Sequence, residues 1–126
     1  DKIDRIIEDF WPGPLTLVLP ARRELPEFLK GRNQTIALRW SSSSVVQEMI
    51  KLGECPLIGT SANLSGMPSC SSSAEVVEQF GDQTPLLVDS GVLPENPPTT
   101  LLDCTRTPFS FICSGSIDQK ILEDYI

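Results

Sequence analysis

Between Gly59 and Gly66 the chain gathers three hydroxyls (Thr60, Ser61, Ser65), the carboxamide of Asn63 and two glycines within eight residues. Short polar side chains and accessible backbone N–H groups of this kind can bind phosphate or carboxylate oxygens without a dedicated charge. The apolar run Pro56-Leu57-Ile58 ahead of them predicts a buried strand that delivers the loop, the way α/β proteins present ligand sites. Ser, Asn and Gly are also the ordinary turn residues, so taken alone the stretch reads more readily as a surface turn. Two more polar stretches, Trp11 to Thr16 and Pro97 to Thr100, fall beside predicted strand ends. In an open sheet, ligands gather at loops beyond strand termini.

Composition narrows the chemistry. The chain has no histidine, which excludes Ser-His-Asp and Cys-His nucleophilic arrangements within it. Any reaction must rest on carboxylates, Lys and Arg, hydroxyls, backbone donors or a bound cation. The four cysteines, Cys55, Cys70, Cys104 and Cys113, form no C-x-x-C pair, which disfavours a zinc site. Cys104 and Cys113 lie in apolar, strand-like runs and read as buried small hydrophobes, in keeping with a reducing compartment. No loop matches a Walker A or G-x-G-x-x-G pattern. The net charge of −7 disfavours direct nucleic-acid binding, which relies on a basic surface. The local cluster Arg22, Arg23, Lys30 and Arg32 reads as a solvated loop. No apolar run is long enough to cross a bilayer and no signal-peptide pattern opens the chain. The chain starts at Asp1 without an initiator Met, which fits a fragment or a processed product.

The elements that must position these groups follow from periodicity. Ile3, Ile6, Ile7 and Phe10 form a helical stripe, ended by Trp11-Pro12-Gly13-Pro14. Leu15 to Leu19 predicts a strand stopped by Pro20, and Thr35 to Trp40 a second. Ser41 to Ser44 open a helix with Val45, Val46, Met49 and Ile50 on its apolar face, closed near Gly53. Ser72-Ser73-Ala74-Glu75 and Ser116-Ile117-Asp118-Gln119 match capping boxes. Each opens a helix, the first ending at Gly81 and the last facing Ile117, Ile121, Leu122 and Tyr125 inward. Leu86 to Asp89, Thr99 to Cys104 and Phe109 to Cys113 predict further strands, the last two joined as a hairpin. Pro94 to Pro98 reads as a rigid, non-helical segment. With 126 residues at 40% hydrophobic and 21% charged, one domain over 1–126 is expected. Its class is mixed α/β (α+β), with five or six strands, four helices and a mixed sheet.

Taken in order, Phe10-Trp11-Pro12-Gly13-Pro14-Leu15-Thr16, Ala37-Leu38-Arg39, Thr60-Ser61-Ala62-Asn63-Leu64-Ser65-Gly66, Pro98-Thr99-Thr100 and Ser114-Gly115-Ser116-Ile117 form a set. Together they resemble the YrdC domain family of threonylcarbamoyl-AMP synthases, across essentially the whole chain but only the C-terminal part of that domain. The resemblance implies a twisted mixed sheet flanked by helices, with the family's N-terminal strand and helix segment missing from these residues. It implies formation of threonylcarbamoyl-adenylate and pyrophosphate from L-threonine, bicarbonate and ATP, for the tRNA N6-threonylcarbamoyladenosine machinery, in the cytoplasm and with no membrane partner. ATP is then a substrate, and Mg²⁺ would bridge its phosphates. Such a reaction needs positioning and charge neutralisation more than a protein nucleophile.

The resemblance also assigns residues. Ser61 and Asn63, with Thr60 beside them, would contact nucleotide phosphates or the carbamoyl group. Thr99 or Thr100 would sit near the phosphates. Arg39, at a strand end, is a candidate fork for a carboxylate or phosphate. Pro14 and Thr16, with Pro12, would line the nucleotide pocket. No residue is assigned as a catalytic nucleophile or acid–base group. Two departures stand out: the family's P-T-E/D-T-like strand and K-x-R motif have no counterpart here, and Cys113 stands where the family carries an Arg. Loss of such cations would be severe, and the missing strand would leave an open sheet edge and exposed apolar surface. The alternatives to the enzyme are a catalytically incomplete nucleotide-binding or partner domain and a carbamoyl-transfer relative.

Overall fold

The computed structural model describes residues 1–94 and 97–126. The backbone groups into two compact units, Asp1–Cys55 with Pro97–Ile126, and Pro56–Asn96.

The first unit is built on a four-stranded sheet in the order β2-β1-β3-β4. Its strands are β1 (Leu15–Pro20), β2 (Thr35–Leu38), β3 (Thr100–Asp103) and β4 (Ser110–Cys113). The sheet is mixed as expected: β1 runs antiparallel to β2 and parallel to β3, and β3 runs antiparallel to β4. Alternation along β1 and β3 buries Leu15, Leu17, Thr100 and Leu102, and leaves Thr16, Val18, Leu101 and Asp103 half-buried.

Helix α1 (Lys2–Phe10) begins at Asp1, whose carboxylate accepts from the Asp4 backbone N–H at 3.0 Å. Its stripe delivers the fully buried Ile6 to the core, flanked by Ile3, Ile7 and Phe10. The same core takes Leu15, Leu17, Leu102, Cys104, Phe109, Ile117 and Leu122. Helix α4 (Gln119–Leu122) brings Leu122, and the 3-10 turn behind it brings Tyr125. The Tyr125 ring meets Phe10 edge to face at 5.4 Å, and its hydroxyl donates to Asp9 at 2.6 Å. Helix α2 (Ser44–Gly53) is capped by Ser43. The basic cluster is a self-braced loop, where the Lys30 ammonium reaches the Glu27 carboxylate at 2.7 Å and the Arg23 carbonyl at 3.1 Å.

The second unit holds helix α3 (Ser73–Phe80), capped by Ser72. Glu75 closes the cap one residue early, accepting from the Ser71 backbone N–H at 2.7 Å. That bond, first among its causes, holds the Glu75 carboxyl below its ordinary value.

Several expectations are corrected. Pro56 to Ile58 and Leu86 to Asp89 form no strands, and their apolar side chains are exposed, Ile58 at 74% and Leu86 at 76%. A strand needs a neighbour to pair its N–H and C=O groups, and among the described residues neither stretch has one. The β2 strand ends at Leu38, so Arg39 and Trp40 lie just beyond it. Cys104 is buried but Cys113 is exposed, because it ends β4, an edge strand with a register shift opposite Leu101 and Leu102. Of the predicted rigid segment Pro94 to Pro98, residues 95 and 96 lie outside the described residues. No helix among the described residues is long and apolar enough to cross a membrane.

Candidate functional site

The corner between α1 and β1 is fixed by close backbone approach. A Cβ on Gly13 would lie 2.3 Å from the Phe10 carbonyl oxygen, so only glycine fits. The Trp11 indole N–H donates to the Leu15 carbonyl at 2.7 Å, and the Trp11–Pro12 peptide is cis. Gly13 then grips the end of β2 from both sides. Its N–H donates to the Trp40 carbonyl and its own carbonyl accepts Nε of Arg39, both at 2.9 Å. Arg39 is exposed, and among the described residues its terminal Nη groups make no hydrogen bond and it makes no ion pair. Arg39 and Trp40 border an open groove of about 450 Å³ lined also by Val46, Gln47, Ile50 and Lys51.

On the half-buried face of the sheet, the Thr16 and Thr99 hydroxyls meet at 3.0 Å. Their backbones are joined next door, where Thr100 N–H donates to the Pro14 carbonyl at 3.0 Å. Thr100 itself turns the other way. It is fully buried, and its hydroxyl donates to the Ile117 carbonyl at 2.9 Å while accepting from the N–H groups of Ile117 at 3.0 Å and Gly115 at 3.1 Å. The structure thus brings together Pro14, Thr16, Thr99 and Thr100, with Arg39 tied to the same corner through Gly13.

Thr60, Ser61 and Asn63 belong to the second unit. Their loop is held by its own bonds: Met67 N–H to the Leu64 carbonyl at 2.9 Å, and Cys70 N–H to the Ala62 carbonyl at 2.8 Å. Gly66 supplies a positive φ of 85°. The Asn63 amide donates to the Leu64 carbonyl at 3.0 Å. Thr60 and Ser61 are exposed, and the Ser61 hydroxyl makes no hydrogen bond among the described residues.

Two supports lie outside the assigned site residues. Gln79 on α3 accepts from Leu64 N–H and donates to the Pro68 carbonyl, both at 3.0 Å, bracing the loop. Nothing in the spacing marks it off from any polar helix residue. Ser116 donates to the carbonyls of Pro97 at 2.8 Å and Pro98 at 3.1 Å, where the sequence offers a helix start and a place in the Ser114 to Ile117 string.

Residues 1–115 match the family model Sua5/YciO/YrdC, described as "Telomere recombination". The chain belongs to this family. It is 32% identical over all 126 residues to the threonylcarbamoyl-AMP synthase of Pyrococcus abyssi, covering 37% of that protein. It is 47% identical over 77 residues to the threonylcarbamoyl-AMP synthase of Klebsiella pneumoniae, matching 61% of this chain and 40% of that one. Among solved structures, P. abyssi Sua5 complexed with L-threonine superposes with a TM-score of 0.91 at 32% identity, over 99% of this chain and 37% of that one. Escherichia coli YciO superposes with a TM-score of 0.82 at 25% identity, over 97% of this chain and 58% of that one. The matched segments cover 37% and 40% of the lengths of these two synthases.

Proposed function

We propose that this chain is the part of a threonylcarbamoyl-AMP synthase that holds Arg39, the Thr16–Thr99 hydroxyl pair and the 59–66 loop. The observation that carries this is the match to P. abyssi Sua5 over nearly the whole chain, in a structure of that protein with L-threonine bound. The substrates are L-threonine, bicarbonate and ATP. The threonine amine and bicarbonate give an N-carboxylate and water. That carboxylate attacks the α-phosphorus of ATP in line, a new P–O bond forms, and pyrophosphate leaves with the electrons of the broken bond.

This chemistry asks the protein to orient and neutralise. Arg39, held at Nε by Gly13, offers its paired Nη groups to a carboxylate or phosphate. Thr16 and Thr99 supply hydroxyls, and Pro14 shapes the wall beside them. Thr60, Ser61 and Asn63 supply hydroxyl and amide donors to phosphate or carbamoyl oxygens. Of the two adjacent threonines, Thr99 serves the ligand, because the Thr100 hydroxyl is fully engaged within the fold. Among the described residues no group of three or more His, Cys, Asp or Glu side chains is placed to hold a metal ion. A Mg²⁺ ion entering with ATP would be held chiefly by the phosphates and water. The product serves the tRNA-modifying machinery, and a cytoplasmic location suits both that role and the free cysteines.

Pyrophosphate release by the full-length gene product, with L-threonine, bicarbonate and ATP, tests this. Threonine-dependent release is expected, and release indifferent to threonine would overturn the assignment. One observation favours a second reading, a nucleotide-binding domain without turnover. The exposed Cys113 stands where the family resemblance places an Arg. ATP binding without any pyrophosphate release would select it.

A further inference from the structure

We infer that Thr100 is a positioning residue: its buried hydroxyl clamps residues 97–100 so that Thr99 is held against Thr16. This rests on the proposed ligand role of the Thr16–Thr99 pair. Thr100 stands alone among the described core residues as a fully buried polar side chain. Valine has nearly the same shape, and burying a hydroxyl in an apolar core is costly unless its hydrogen bonds are made. Here all of them are made. A hydroxyl has one donor and two acceptor sites, and Ile117 O, Ile117 N–H and Gly115 N–H fill them.

The clamp closes tightly. A Cβ on Gly115 would lie 2.2 Å from the Pro98 oxygen, 2.5 Å from the Thr99 carbonyl carbon and 2.6 Å from the Thr100 nitrogen. Ser116 N–H donates to the Pro98 carbonyl at 2.9 Å, and its hydroxyl reaches Pro97 and Pro98 as well. On the opposite side, Thr100 N–H is tied to the Pro14 carbonyl. The segment entering β3 is therefore gripped from both flanks. Side chains alternate along a strand, so fixing Thr100 inward fixes Thr99 outward, where its hydroxyl meets Thr16. Removing the Thr100 hydroxyl orphans three backbone groups of the 115–117 turn and frees the segment that carries Thr99.

The test uses the full-length gene product with Thr100→Val, Thr100→Ser and Leu102→Ala, the last a buried site on the same strand outside the polar network. Amide hydrogen exchange is read without ligand, and KM for L-threonine and for ATP is read well below every variant's Tm. Thr100→Val is expected to speed exchange at Gly115 and Ile117 and to raise at least one KM by roughly tenfold, with kcat changed less. Thr100→Ser restores both. Leu102→Ala lowers Tm without moving KM. Unchanged exchange at Gly115 and Ile117 in Thr100→Val overturns the inference, as does an equal rise in KM from Leu102→Ala. Should Thr100→Val not fold, the exposed Ser116→Ala loosens the same segment from outside, and unchanged exchange and KM there overturn it equally. A wild-type protein with no threonine-dependent turnover would defeat the proposed function, and exchange, which needs no turnover, would still decide the clamp.

Discussion

Arg39 and Gly13 are joined by a 2.9 Å hydrogen bond from the guanidinium Nε to a main-chain carbonyl. One donor of the fork is thereby spent on orientation, and the two terminal nitrogens are left as a paired donor set. A lysine in its place keeps the charge but lacks the Nε donor and the planar fork. Arg39→Lys should therefore weaken L-threonine or ATP binding by roughly tenfold to a hundredfold, a loss of ~1.4–2.8 kcal/mol. Because Arg39 is exposed, Tm should barely move. Calorimetric titration of the full-length protein beside a thermal melt checks this, and binding equal to wild type would remove Arg39 from the site.

The glycine at the same corner makes a stability prediction. Alanine at Gly13 would drive a methyl to 2.3 Å from the Phe10 carbonyl oxygen, and the atom in the way is backbone. The α1–β1 corner must open, and with it the Gly13 bonds to Trp40 and Arg39. Gly13→Ala should cost about 3 kcal/mol in chemical denaturation. Alanine at Gly59, where a Cβ meets nothing within 4 Å, should leave stability within about 0.5 kcal/mol of wild type.

In the 59–66 loop, binding and stability should separate by residue. The Ser61 hydroxyl is exposed and has no partner among the described residues, so Ser61→Ala should leave Tm unchanged while weakening ATP binding. Asn63→Ala also breaks the bond to the Leu64 carbonyl, so it should lose binding together with about 0.5–1 kcal/mol of stability. Titration with ATP and parallel melts decide between a ligand loop and a plain turn. Intact ATP affinity in both variants would leave only the turn.

The sequence was most informative where elements are bounded locally. Pro14 precedes β1 and Pro20 ends it, the Ile3-Ile6-Ile7-Phe10 stripe marks α1, and Ser72 marks the start of α3. It was least informative where the outcome depends on a distant partner. Pro56 to Ile58 and Leu86 to Asp89 have strand composition, but composition does not supply the neighbour that a ladder requires. Cys104 and Cys113 occupy similar apolar runs and differ because one packs into the core and the other ends an edge strand. Thr99 and Thr100 are indistinguishable by type. What separates their roles is a turn 15 to 17 residues further on, which no local pattern announces. The Gly13 hold on Arg39 likewise spans 26 residues.

Cys104 gives the last prediction, through its environment rather than its chemistry. Burial, first, and the neighbouring Asp103 carboxylate push its thiol from 9.0 up to about 11. The protonated thiol is thus favoured in the folded chain. A group whose folded pKa lies above its unfolded value stabilises the fold below the unfolded pKa and loses that contribution as pH climbs to the folded one. The Cys104 contribution is accordingly complete below about pH 9 and lost between pH 9 and about 11. Cys104→Ala should flatten the fall in stability across that window, while costing some stability at neutral pH through the small cavity it leaves. The same burial controls reactivity, because the thiolate is the nucleophile. At neutral pH a maleimide should label the exposed Cys55 and Cys113 readily and Cys104 only as the chain unfolds. Peptide mapping after timed labelling reads this directly, and Cys104 modified as fast as Cys113 in the folded protein would show that the Leu102–Phe109 side of the core is open to solvent.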